Sequence, residues 1–167
     1  MAGLKTKPTE TSVGSFPASV GAFLAARRIA VAGVSRGGQL PANAIYRRLK
    51  QTGHDVVAVN PKATELEGAP CYPDLASIPG ELDAVMIATH PDAALAVVRQ
   101  CAERGVRLVW FHRSFGDGSV SAEAVRECEA RGIDAIVGGC PLMFCGTVDV
   151  FHRCMRWWLQ RGGRVPR

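Results

Sequence analysis

No apolar run in the 167-residue chain approaches the roughly 18 residues that a helical membrane span needs, which argues against a membrane protein and for a soluble one. Nor does Met1 to Pro17 contain the apolar core and small-residue cleavage site of a secretory signal, so this segment is expected to be a flexible arm. The six cysteines, at 71, 101, 128, 140, 145 and 154, lack the close spacing of a disulfide scaffold. A reducing cytoplasm is the expected setting. Cys140, Cys145, His152 and Cys154 also lack the paired short gaps of a zinc knuckle, and packing explains them better than a metal does. The chain has no repeat and no low-complexity tract. At this length it is expected to form one domain, too short for a nucleotide domain plus a separate catalytic one.

The net charge of +5 suits a small polyanion and would also attract nucleic acid. The cations are scattered, however, and no strand interleaves them with the aromatic residues that stack bases, which argues against nucleic acid as the partner.

Strands and helices are expected to alternate. Apolar runs at Ile29–Val34, Val56–Asn60, Ala84–Thr89, Arg107–Phe111 and Ile133–Val137 lack polar alternation, the pattern of strands buried on both faces. Between them, helices are expected at about Ala18–Ala26, Ala42–Thr52, Pro91 to Gly105 and Ala122–Arg131, with Ala42, Ile45, Tyr46 and Leu49 facing inward on the second. The Pro- and Gly-rich segment 61–82 is expected to hold one helical turn, Asp74–Ile78. Asp149–Gln160 reads as a last helix with Cys154 on its apolar stripe, and Trp157-Trp158 on it suggests a homodimer surface. The expected architecture is α/β: a Rossmann-like, doubly wound, parallel five-stranded sheet in a single domain spanning 18–162, preceded by the 1–17 arm and followed by a 163–167 tail.

In such a sheet, ligands lie at the carboxyl ends of the strands. After the first strand comes Gly33-Val34-Ser35-Arg36-Gly37-Gly38, a turn into a helix whose glycines let a backbone approach a phosphate and whose helix start offers unpaired N–H groups. A NAD site wants a carboxylate at the end of the second strand, roughly 20 residues on, to bind the ribose hydroxyls. Here the strand runs into Asn60-Pro61-Lys62. A lysine suits a phosphorylated ribose, either the 3′-phosphate of coenzyme A or the 2′-phosphate of NADP. Thr89-His90-Pro91 and His112-Arg113 follow the next two strands, and Gly138-Gly139-Cys140-Pro141 follows the fifth.

The ordered series Val31-Ala32-Gly33-Val34-Ser35, Asn43, Gly53 through Pro61, Cys71-Tyr72-Pro73-Asp74-Leu75, Ile78-Pro79, Pro91, Val109-Trp110 and Cys140-Pro141 resembles the CoA-binding domain proteins. These are small stand-alone relatives of the N-terminal domain of the succinyl-CoA synthetase alpha subunit. The resemblance implies a Rossmann-like sheet binding coenzyme A, with no catalysis assigned to the stand-alone members. It implies that Gly33, Ser35 and Arg36 hold phosphates, that Asn60, Pro61 and Lys62 flank the adenosine, and that His90 and Pro91 line the next wall, with Val34, Thr89 and His112 also expected at the cofactor site. His112 stands where the family usually has Gln. The expected ligand is a nucleotide thiol or thioester bound by a carrier, sensor or regulatory module. Two other readings stand beside it: an NADP-dependent oxidoreductase, and a thiol-redox or interaction protein using Cys140, whose thiol is considered for a mixed disulfide with coenzyme A. No catalytic residue and no metal ligand is assigned.

Overall fold

The computed structural model describes residues 17–38, 40–113 and 118–145, together with Cys154. The arm before Pro17, most of the expected last helix with Trp157-Trp158, and the 163–167 tail lie outside the described residues. Cys154 is helical and exposed, not packed on an apolar face as its spacing suggested.

A short helix α1 (Ala18–Ala25) leads into β1 (Arg28–Ala32), then α2 (Pro41–Gln51), β2 (Asp55–Val59), β3 (Glu65–Leu66), β4 (Ala69–Tyr72), β5 (Ala84–Ile87), α3 (Pro91–Glu103), β6 (Leu108–Phe111), α4 (Ala122–Ala130) and β7 (Asp134–Val137), closed by a 3₁₀ turn at Pro141–Met143. The strands form one sheet in the order β3-β4-β2-β1-β5-β6-β7. Five of them, β2, β1, β5, β6 and β7, pair in parallel as the apolar runs indicated.

The sheet nonetheless has seven strands where five were expected. The extra two come from the Pro- and Gly-rich segment: β4 joins β2 in parallel through Ala58↔Cys71 and Val59↔Tyr72, and β3 turns back on β4 antiparallel. Pairs this short leave no alternation to read. No helix forms at Asp74–Ile78, where the expected helical turn is reduced to one backbone bond, Ile78 N–H to Leu75 O at 3.3 Å. In its place the Asp74 carboxylate accepts from the backbone N–H and the hydroxyl of Ser77, at 2.8 and 2.7 Å, which closes a turn without helix.

Each face of the sheet has its own core. On one side α1, α2 and the 3₁₀ turn pack Phe23, Ile45, Tyr46, Leu49, Met143 and Phe144 against Ile29, Val31, Met86 and Trp110. Phe23 meets the Trp110 ring edge to face at 5.1 Å, and the Trp110 indole N–H donates to Gly138 O at 2.8 Å, so the largest buried side chain is both packed and hydrogen-bonded. On the other side α3 and α4 cover Ala30, Ala32, Val85, Ile87, Val109 and Phe111 with Ala94, Val98, Cys101, Ala124 and Cys128. Full burial of such aliphatic side chains stabilises by about 1.5–3 kcal/mol each, so covering both faces is what holds the parallel sheet together.

Candidate functional site

The strand order reverses between β1 and β5: the chain runs outward from β1 to β2 on one side and from β5 to β7 on the other. The loops after β1 and β5 therefore diverge and leave a crevice. A cleft of about 500 Å³ lies there, lined by residues following β1, β2, β4 and β5 and by one face of α3.

Of the residues singled out in the sequence, Gly33, Val34, Ser35, Asn60, Pro61, Thr89 and His90 line this cleft together. Arg36 and Lys62 are exposed and each directly follows a lining residue. Neither has a side-chain partner among the described residues. Pro91 opens α3 just behind His90. His112 is not in the lining: it is buried, its backbone N–H donates to Ile87 O at 2.9 Å, and burial pushes its imidazole below the ordinary value, toward the neutral form.

The turn after β1 is organised differently from the expected phosphate cradle. A Cβ on Gly33 would stand 2.4 Å from Ala88 O and 2.8 Å from Thr89 N, and φ there is +102°, so its glycine character admits the backbone leaving β5. The Gly33 N–H donates to Val59 O at 3.1 Å. Asn43, fully buried on α2, accepts from Ser35 N–H at 2.9 Å and donates to Ser35 O at 2.8 Å. Ser35 Oγ accepts from Gly37 N–H at 3.3 Å, and Gly38 N–H donates to Ser35 O at 3.1 Å. These four amide donors are thus engaged inside the protein, which fixes the turn before any ligand arrives. The start of α2 carries Pro41 at its first positions, with no side-chain cap and no acidic residue in its first turn to offset the positive end of the helix dipole.

Asn60 holds the second loop to the first. Its amide donates to Val34 O at 2.5 Å while its carbonyl oxygen accepts from Lys62 N–H at 2.7 Å, an Asx turn that sets the Pro61-Lys62 backbone. At the third loop, His90 caps α3, and its Nδ1 lies 3.2 Å from an Asp92 carboxylate oxygen, both side chains well exposed. His90 therefore does have a carboxylate neighbour, which its sequence motif did not suggest because Asp92 reaches back only once the helix has formed.

Sequence reasoning missed the far wall. Pro73, after β4, and Ala93, Ala96, Val97 and Gln100 on α3 complete the cleft. The 93, 96, 97, 100 spacing is an i, i+3, i+4, i+7 stripe beside the buried Ala94, Val98 and Cys101, and Val97, half-buried against that core, belongs to it as well. Its signal was a run of small and apolar residues wider than one core-facing stripe needs.

The cysteines take no part in the cleft. Cys140 is buried, burial pushes its thiol up to about 12, and it is absent from the lining, all of which oppose a mixed disulfide at this residue. Cys145 beside it is likewise pushed up to about 11. Among the described residues no three His, Cys, Asp or Glu side chains gather in a way that could hold a metal, and no helix is long and apolar enough to cross a membrane.

A doubly wound sheet with its cleft at the point of strand reversal defines a nucleotide-binding class of domain. Within that class, the family model of the CoA binding domain matches residues 27–145, and the chain belongs to this family. It is similar to the ADP-forming acetate–CoA ligase II of Archaeoglobus fulgidus, 34% identical over 83 residues, which are 48% of this chain and 12% of the ligase. It is also similar to the alpha subunit of the ADP-forming acetate–CoA ligase II of Pyrococcus furiosus, 30% identical over 63% of this chain and 23% of that one. The chain thus spans less than a quarter of the length of these curated relatives. Among solved structures, a hypothetical protein from Pyrococcus horikoshii OT3 superimposes with a TM-score of 0.70 at 26% identity, covering 81% of this chain and 94% of that one. An acetyl-coenzyme A synthetase of Ca. Korarchaeum cryptofilum, in complex with phosphate and ADP, gives 0.59 at 29% identity, covering 69% of this chain and 26% of the synthetase.

Proposed function

We propose that this chain binds coenzyme A, or a short acyl-CoA, in the cleft at the carboxyl ends of β1, β2 and β5, and acts as a carrier, sensor or regulatory module without catalysis of its own. The observation that most supports this is the end of β2. Asn60 there is locked between the two loops, no carboxylate faces the ribose position, and Lys62 projects beside cleft-lining Pro61 with its ammonium unpartnered among the described residues. Coenzyme A brings about four negative charges at neutral pH, counting phosphate groups whose second pKa is near 6. In this reading Lys62 meets the 3′-phosphate, while Arg36 and the uncapped start of α2 meet the diphosphate. Gly33, Val34 and Ser35 serve as a rigid floor. Their contribution is shape, since the donors of Gly33 and Ser35 are already engaged. Thr89, His90 and Pro91 flank the outgoing pantetheine arm. The domain is proposed to run from 18 to 162.

Calorimetry with coenzyme A, dephospho-CoA, NADP and NAD tests the assignment. Coenzyme A is expected to bind best, and Lys62→Ala to weaken it about five- to tenfold, the worth of one exposed charge-assisted contact, while leaving dephospho-CoA unchanged. NADP binding as tightly as coenzyme A would transfer the lysine to the 2′-phosphate and favour an oxidoreductase.

A further inference from the structure

On the α3 side of the cleft, one polar side chain stands at the end of an otherwise apolar stripe. Gln100 follows Ala93, Ala96 and Val97 along the helix and lines the same cleft as Pro61 and Pro73. Its Oε1 accepts from the backbone N–H of Leu75 at 3.0 Å. That bond fixes the amide's orientation, because an N–H can be matched only by the carbonyl oxygen, so the NH₂ must take the other position. The NH₂ has no hydrogen-bond partner among the described residues, and the residue is half-buried. The result is a cleft lined by two prolines and a small-residue helix face, with an oriented donor among the lining residues.

We propose that Gln100 is a specificity-determining residue that reads an acceptor nitrogen of the adenine ring, the planar base lying between the Pro61-Pro73 wall and the Ala93-Ala96-Val97 face. This rests on the coenzyme A reading above and assigns the base end of that ligand. A largely apolar heterocycle with acceptor nitrogens on its edge suits this mostly apolar lining and its one oriented donor. An anion would find no Lys or Arg among these lining residues. Removing the donor without removing the Leu75 anchor needs Gln100→Glu, which keeps an acceptor for Leu75 N–H and replaces the NH₂ by an oxygen.

Calorimetry with adenosine 3′,5′-bisphosphate, its 1-deaza, 3-deaza and 7-deaza analogues and 4′-phosphopantetheine separates the outcomes. Wild-type protein is expected to bind one deaza analogue about fivefold more weakly than the parent, one neutral hydrogen bond's worth. Gln100→Glu should bind the parent and that analogue alike, with phosphopantetheine unaffected. A general charge effect of the new carboxylate would weaken every analogue equally and leave the parent-to-analogue ratio as in wild type, which overturns the proposal. So does a wild type indifferent to all three ring substitutions while still binding coenzyme A. A wild type that binds neither coenzyme A nor the bisphosphate fails at the earlier reading instead.

Discussion

Gly33 sits where the backbone leaving β5 comes within 2.4 Å of where a Cβ would stand, at a φ that side chains other than glycine rarely adopt. Both penalties act together in Gly33→Ala, which is expected to lose about 2–4 kcal/mol of stability in denaturant unfolding, well above an ordinary surface change. His112 argues a different point. Burial lowers its folded pKa below the unfolded value near 6.5, so the unfolded chain binds the extra proton first, and stability falls as pH drops below about 6.5. The pH 5 to 7.5 difference in unfolding midpoint should accordingly shrink in His112→Gln. The sequence named both residues for ligand contact. Gly33 lines the cleft as well as yielding space to the β5 loop, whereas the role visible for His112 is packing and desolvation, because a residue after a strand can face the cleft or the neighbouring loop.

Helix α3 does two jobs at once, and its composition reflects both. Ala94, Val98 and Cys101 seat it on the sheet, while Ala93, Ala96 and Val97 leave the cleft open. Ala96→Phe is expected to fill the cleft and weaken coenzyme A at least about tenfold, while an exposed helical position limits the stability change to about 1 kcal/mol. Thermal unfolding alongside calorimetry checks both halves. The regular elements were legible because their apolar periodicities are long: the five expected strands and four helices fall within one or two residues of expectation. The β3-β4 pair was not, since two- and four-residue strands that contain Pro70 and follow a turn have no pattern of their own and exist by pairing with β2.

Across the whole molecule, the six cysteines report how tightly the two cores are closed. Five are buried and Cys154 is exposed. Burial pushes the Cys101 thiol far up and that of Cys128 up to about 11, so neither offers a reactive thiolate in the native state. A disulfide reagent at neutral pH is expected to modify one thiol per chain quickly and the rest only at the rate of global opening, with Cys154→Ser abolishing the fast phase. Coenzyme A disulfide should follow the same course and leave Cys140 unmodified in the native protein.

The amino-acid sequence by itself determined the doubly wound class, the positions of the strand ends and the missing carboxylate after β2. Those are local properties, set by side-chain periodicity and by which residue follows which. Only the tertiary structure decided that Asn43 and Asn60 consume the polar groups of the first loop, that Gly33 yields space to the β5 loop and that α3 supplies the far wall with Gln100 at its end. Each of these is a meeting of segments distant along the chain, created when the strand order reverses between β1 and β5 and opens the crevice.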